Sequence, residues 1–332
     1  MKLKIEPNTV AILLTDKCTA ECEMCCFSCS PRNNNVIDKK IVKRTIEQAS
    51  QMNSIFTIGF SGGEVFIYYE FLMEMIDYAT KLGLRTTCTT NGFWATTYET
   101  TLDKLIELKK KGLSKIGLSV DHYHQRFVDI DNIKNILKAC KRIGMPVDIG
   151  SVITKSTSDL SELLFEIKDY MINVPHFRAA CLPFGNASNL VKEDLYYDEN
   201  LFSRDEIKCY ELNFFSIYTN GDVYPCCSQA GVIPCLRLGN IKTDTLEGML
   251  SKYRGNMYIR IIKKHGLSWF VNIAQKENLQ DIMNCKYVSK CELCNRLLNN
   301  KIFLDVVQKY IQNEKELIYK KYMSEKRFNE TQ

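Results

Sequence analysis

From Thr9 to about Cys181, short β-branched or apolar runs alternate with amphipathic stretches, the pattern of parallel strands joined by helical crossovers. Strands are predicted at residues 9–15, 54–60, 85–90, 115–120, 146–152 and 174–181. Between them Ile41, Val42, Thr45, Ile46 and Ala49 recur at helical spacing, as do Leu72, Met75, Ile76 and Ala79, and Leu160, Leu163, Leu164 and Ile167. Each set gives a helix one apolar face. Gly83, Gly112 and Gly144 sit where a left-handed residue closes a helix, shortly before the next strand. Strand starts recur about every 30 residues, the length of one βα unit, and six units fit. The pattern predicts an α/β fold with a partial (β/α)6 barrel. Its chemistry belongs at the C-terminal ends of the strands, in the loops after Thr15, Phe60, Thr90, Val120 and Val152.

After a polar connector over about 183–204, the sequence turns irregular and Cys-bearing, with a CxxC near its end. Two domains are expected: residues 1–204, barrel with connector, and residues 205–332, a smaller C-terminal domain. Apolar residues at helical spacing over 302–322, among Lys and Glu, predict a final helix docked by one face.

Composition narrows the class. At 332 residues and 38.4 kDa the chain exceeds one minimal core, and 45% hydrophobic with 25% charged residues excludes a disordered or coiled-coil protein. The longest strongly apolar stretch, residues 10–14, is far below membrane-spanning length, and Glu6 and Pro7 interrupt any signal peptide. A cytoplasmic protein with no membrane partner is expected. The 44 basic and 39 acidic residues are scattered, which gives no nucleic-acid footprint. Cysteine departs from the average: 15 against 4 His, with five between Cys18 and Cys29. In a cytoplasmic chain this points to metal or reactive thiols.

Directly after the first strand stands Cys18-Thr-Ala-Glu-Cys22-Glu-Met-Cys25, a Cx3CxxC. Three thiolates so close can share one metal site; a fourth such as Cys26 or Cys29 closes it, as in structural zinc, or the open position is functional. The second strand ends in Ser61-Gly62-Gly63-Glu64, where the glycines allow close backbone approach to a ligand and the carboxylate can hold an ammonium group.

In this Cx3CxxC followed one βα unit later by GGE, the sequence resembles the radical S-adenosylmethionine (SAM) superfamily. The resemblance implies that Cys18, Cys22 and Cys25 hold a 4Fe-4S cluster whose open iron chelates S-adenosyl-L-methionine. Gly62, Gly63 and Glu64 then receive the methionine end of the cofactor. Ser119 and Asp121, in Gly-Leu-Ser-Val-Asp, match a position that contacts the ribose, with helix capping as the other reading, and Asn91 is a further cofactor candidate. Met24 stands where the superfamily usually has an aromatic against the adenine; a polarisable thioether can pack there. Reductive cleavage of the sulfonium needs a cluster toward the negative end of the roughly −700 to +450 mV range, and leaves a 5′-deoxyadenosyl radical that takes hydrogen from carbon.

Downstream, Cys209, Gly221 and Cys226 form a Cx11Gx4C with a distant Cys291-Glu-Leu-Cys294. This resembles the shortened, Twitch-type form of the SPASM domain, implying one auxiliary 4Fe-4S cluster on Cys209, Cys226, Cys291 and Cys294, with a zinc knuckle as the other reading. Cys227 is then a spare thiol beside that cluster, kept as S–H if burial and cluster charge raise its pKa. Cys25-Cys26-Phe-Ser, Asn91-Gly-Phe-Trp94, Ser-Val-Asp-His-Tyr-His124, Tyr224-Pro-Cys-Cys-Ser and Gly-Leu-Ser-Trp269-Phe resemble the epipeptide epimerases over residues 9–298. That resemblance implies conversion of L-Val or L-Ile to D-residues in a ribosomally made precursor peptide. Abstraction at Cα is followed by hydrogen return from Cys227 to the opposite face. His124 is a candidate for contact with cofactor or peptide, and the electron donor expected is a flavodoxin or ferredoxin. With the first strand starting by Thr9, the peptide is expected to enter the barrel without a separate leader-binding unit. The alternatives are a peptide-crosslinking maturase, which has no use for Cys227, and a non-catalytic zinc-binding module.

Overall fold

A computed structural model describes residues 6–203 and 206–330, with side chains to residue 320. Six strands follow the expected order: β1 (Thr9–Leu13), β2 (Thr57–Ser61), β3 (Arg85–Thr90), β4 (Leu113–Ser119), β5 (Val147–Ile153) and β6 (His176–Ala180). They pair in parallel, each with its sequence neighbour. Helices α1 (Lys39–Ser50), α2 (Tyr69–Lys81), α3 (Tyr98–Lys111), α4 (Ile130–Ile143) and α5 (Ser161–Ile167) fill the crossovers. Asp38, Thr97 and Asp129 cap the starts of α1, α3 and α4 by accepting backbone N–H bonds. Gly112 and Gly144 close α3 and α4 in the left-handed conformation, and Gly83, at φ 81°, follows α2 in the same way.

Strands β2 and β6 begin two or more residues later than predicted. Residues 54–56 belong to the turn that closes α1, where Ile55 N–H donates to Met52 O. Strand β6 starts after Pro175, which has no N–H for the ladder.

Alternation gives the sheet two unlike faces. Val10, Ile12, Ile58, Phe60, Ile116, Leu118 and Ile149 are buried against the helices in one core. Most opposite positions are small or polar, among them Ala11, Gly59, Ser61, Thr89, Gly117, Ser119 and Gly150, with Leu13 and Val152 as exceptions. A concave face built from such residues leaves room for a ligand.

The second half is built onto the same sheet. Strand β7 (Phe214–Ile217) pairs in parallel with β1, and β8 (Asp222–Tyr224) and β9 (Gly239–Asn240) follow antiparallel. Among the described residues one sheet runs β6-β5-β4-β3-β2-β1-β7-β8-β9. Phe215 and Ile217 share a core with Val10 and Ile12, so the auxiliary region extends the barrel. The expected boundary at 204/205 lies outside the described residues. Helices α6 (Leu246–Gly255), α7 (Met257–His265), α8 (Ser268–Lys276), α9 (Gln280–Met283), α10 (Lys290–Asn299) and α11 (Lys301–Glu330) complete the chain. As predicted, α11 docks by one face, burying Phe303, Val307 and Ile311, while Glu314 pairs with Lys264 and His265. Among the described residues no helix is long and apolar enough to cross a membrane.

Candidate active site

The loop after β1 is pinned from both sides. Thr15 Oγ1 donates to Asn35 O at 2.8 Å and Cys18 N–H to Ser30 O at 3.1 Å. From β2, Gly63 N–H donates to Thr15 O at 2.6 Å and Glu64 N–H to Lys17 O at 2.8 Å. A Cβ on Gly62 would overlap Thr15 O, and one on Gly63 would overlap Lys17 O. The glycines, expected to let a ligand approach, thus also let the two loops meet backbone to backbone.

Cys18, Cys22 and Cys25 line a cavity of about 220 Å³ together with Gly62, Gly63, Asn91, Ser119 and His124. Met24, Cys26, Phe27 and Cys29 complete that wall. Burial pushes the thiols of Cys18 and Cys22 up to about 11 and about 12. Cys25 is lowered to about 6 because the Cys29 thiol donates to it. Among the described residues no three His, Cys, Asp or Glu side chains gather tightly enough to hold a single ion. The thiols surround a space instead of meeting at a point, an arrangement that fits a cluster.

Sequence reasoning missed what braces this loop from across the barrel. Asn186 N–H donates to Cys25 O at 3.0 Å and its Nδ2 to Cys22 O at 3.1 Å. Gly185, at φ 58°, lies where a Cβ would press on the Cys25–Cys26 backbone. No motif marks these residues, because their role comes from where β6 ends.

Glu64 is 0% exposed and does not line the cavity. Its carboxylate accepts from Phe66 N–H at 3.0 Å, Thr90 Oγ1 at 2.8 Å and Asn91 N–H at 2.7 Å. Burial still outweighs these donors and raises its pKa to about 7, against 4.5 ordinarily. The folded chain therefore binds this proton more tightly than the unfolded one, and the group's stabilising contribution, full below pH 4.5, is lost as pH rises through 7. In the ligand-free protein Glu64→Gln is expected to flatten that slope. It should also cost about 1–3 kcal/mol, because an amide NH2 then faces one of the three donors. Melting curves of equal midpoint for both proteins at pH 5 and pH 7.5 would contradict this.

Asp121, expected at the ribose, is instead an internal brace. It is 0% exposed and accepts from the backbone N–H groups of Tyr123, His124 and Val152, each at 3.0 Å, and from His124 Nδ1 at 2.9 Å. Burial raises its pKa, but the His124 ring and these N–H donors outweigh it and hold the carboxylate below its usual range. The carboxylate caps a turn, where helix capping was the other expectation. An ionised Asp121 fixes the Nδ1–H tautomer of His124 and leaves Nε2 as its other polar atom. His124, Ser119 and Asn91 are the predicted residues that reach the cavity here. Asn91 Nδ2 also donates to Thr19 Oγ1 at 3.1 Å.

The other cysteines converge on a smaller, apolar cavity of about 20 Å³ lined by Cys209, Cys226, Cys291 and Cys294 with Leu212, Leu236, Ile262 and Leu267. Helix α10 sets Cys291 and Cys294 three apart on one face, and its Ser289 cap accepts from Cys291 N–H at 3.2 Å. Gly221, at φ 92°, makes the tight β7–β8 turn that brings Cys226 back toward Cys209. Cys226 is 6% exposed, whereas Cys227 is exposed. The expected rise of the Cys227 pKa is not found: a hydrogen bond from the Cys226 thiol lowers it, although the sulfur is partly desolvated within an otherwise exposed residue, and Cys226 rises correspondingly. A Cys226 that is a thiolate ligand has no proton to donate, so this lowering belongs to the metal-free pair.

Residues 12–164 match the radical SAM superfamily, and residues 209–296 match the SPASM iron-sulfur cluster-binding domain. The chain thus carries a radical SAM domain followed by a SPASM domain. Its cofactors are S-adenosyl-L-methionine and two iron–sulfur clusters. The chain is 27% identical over 299 residues to a protein of Bacillus subtilis (strain 168) named putative peptide biosynthesis protein YydG, covering 88% of this chain and 92% of that one. Its fold is similar to native anSMEcpe with bound AdoMet, at TM-score 0.56 and 14% identity over 92% of this chain and 99% of that one. The form of anSMEcpe with a bound Kp18Cys peptide gives TM-score 0.56 at 15% identity, over 92% and 98%.

Proposed function

We propose that this radical SAM protein is a peptide epimerase that inverts L-residues, Val or Ile, in a ribosomally made precursor peptide, using Cys227 as hydrogen donor. The observation that carries the reading is an exposed cysteine, Cys227, set directly beside a buried cluster-type one, Cys226. The relative named for peptide biosynthesis and a similar fold with peptide bound support a peptide substrate. A cytoplasmic location, with reduction by a flavodoxin- or ferredoxin-type donor, fits the same reading.

In this reading Cys18, Cys22 and Cys25 hold the first cluster and Cys209, Cys226, Cys291 and Cys294 the auxiliary one. Bound in the first cavity, the cluster and S-adenosylmethionine supply a radical that removes hydrogen from the substrate Cα. Gly62, Gly63, Asn91, Ser119 and His124 position that cofactor, and the small residues on the concave face leave the peptide room. Glu64 and Asp121 hold the Asn91 and His124 loops in shape. Cys227 then gives its S–H hydrogen to the opposite face of Cα and becomes a thiyl, restored by one electron and one proton. Mass and oxidation state of the peptide are unchanged. Candidate precursor peptides, translated from short reading frames beside the gene and deuterated at Cα, test this. Deuterium should pass to 5′-deoxyadenosine while the product gains protium and a D-residue; a product lighter by two hydrogens would favour crosslinking.

His124→Ala is expected to weaken S-adenosylmethionine binding roughly tenfold or more, the scale of a hydrogen bond to a charged ligand. Asp121→Asn should do the same indirectly by releasing the ring. Equilibrium dialysis of the cluster-loaded proteins checks this, and wild-type affinity in both variants would remove His124 from the site.

A further inference from the structure

One residue joins the two cysteine regions and is absent from every motif. Tyr218 follows directly on β7, and its ring packs against Phe27 of the first cysteine loop, at 6.1 Å between centroids and tilted by 44°. On its other side Tyr224 meets it edge-on, at 5.6 Å and 83°. Tyr224 opens the Tyr-Pro-Cys226-Cys227 segment. Two rings thus flank the phenol, and its hydroxyl oxygen is buried.

The Tyr218 hydroxyl is buried and has no hydrogen-bond partner among the described residues. Buried donors are nearly always paired, and an unpaired one costs about 1–3 kcal/mol. The groups acting on it electrostatically are, in order of strength, the thiols of Cys226, Cys26 and Cys227, and then Tyr224. As free thiols these are weak acceptors. Ligation changes one of them: Cys226 becomes an anionic sulfur, a far better acceptor for a nearby O–H.

Resting on the assignment of Cys226 as an auxiliary-cluster ligand, we propose that the Tyr218 hydroxyl is a positioning donor that hydrogen-bonds the Cys226 sulfur and raises the reduction potential of the auxiliary cluster. A donor at a ligating sulfur favours the more negative, reduced state, and such bonds are among the protein's levers on cluster potential. A cluster that is readily kept reduced by an external donor can pass one electron to a Cys227 thiyl, which with one proton returns to S–H.

The test is an EPR redox titration of the auxiliary signal in the two-cluster holoenzyme without peptide, comparing wild type with Tyr218→Phe. The phenylalanine keeps both ring contacts and removes only the O–H. A shift to more negative potential is expected, with loss of an exchangeable-proton coupling to the cluster in deuterium-exchanged pulsed EPR. Unchanged potential and an unchanged proton coupling would overturn the proposal, and would be the result if the phenol bonds Cys26 instead. If Tyr218→Phe does not retain iron, 3-fluorotyrosine placed at 218 decides the matter. As a stronger donor of nearly the same shape it should move the potential positive, and no movement overturns the proposal. An auxiliary signal absent from wild type would instead contradict the Cys226 ligand assignment itself.

Discussion

Cys227→Ala is expected to abolish D-residue formation and deuterium uptake, with 5′-deoxyadenosine accumulating without matching product. Cys227 is exposed while its neighbour Cys226 lines the auxiliary cavity, so the substitution removes the hydrogen source and leaves the four auxiliary thiols in place. A carbon radical without a donor on its far face cannot be inverted, and the expected loss is of the whole reaction. Cys227→Ser makes the test sharper, because an alcohol O–H is much stronger than S–H and does not give up its hydrogen to a peptide radical. Iron content and the spectra of both clusters distinguish a missing donor from a damaged site. D-residue formation at wild-type rate in either variant would exclude Cys227.

The second large effect is expected from Gly63→Ala. The added methyl would enter the backbone carbonyl of Lys17, and backbone cannot yield as a flexible side chain can. The Gly63–Thr15 and Glu64–Lys17 bonds would part, and Cys18, one residue beyond Lys17, would move with its loop. On the proposed ligand sets, which give each cluster its own thiols, iron should fall by about half and S-adenosylmethionine cleavage should be lost. Gly83→Ala is the contrast, because nothing lies within 4 Å of its Cβ. Only the positive φ opposes it, for a cost of about 1 kcal/mol. Iron analysis and thermal melting separate the two; full iron loading in Gly63→Ala would show that the loops need not meet as closely as the structure has them.

The barrel was legible because βα units repeat, and each unit announces its helix by apolar spacing and its end by a glycine. The two cysteine groupings were legible from the Cx3CxxC, Cx11Gx4C and CxxC spacings, and each set lines its own cavity. Other features were hidden because they depend on tertiary placement. Asp121 and His124 are three apart, and nothing in that spacing says which one faces the cavity; the N–H groups of Tyr123, His124 and Val152 decide it by surrounding the carboxylate. Asn186 gains its role because the chain leaving β6 passes the carbonyls of Cys22 and Cys25. Tyr218 matters because β7 joins β1 in parallel, a pairing between residues about 200 apart that no local pattern encodes.

The measurement that bears most directly on the epimerase reading is anaerobic turnover of the candidate precursor peptide in deuterated water, with S-adenosylmethionine and reductant, followed by mass spectrometry and chiral amino-acid analysis. The exchangeable Cys227 S–H predicts one deuteron gained at each inverted residue, a D-amino acid at that position, and neither in Cys227→Ala. A modified peptide lighter by two hydrogens, with no deuteron gained, would contradict it.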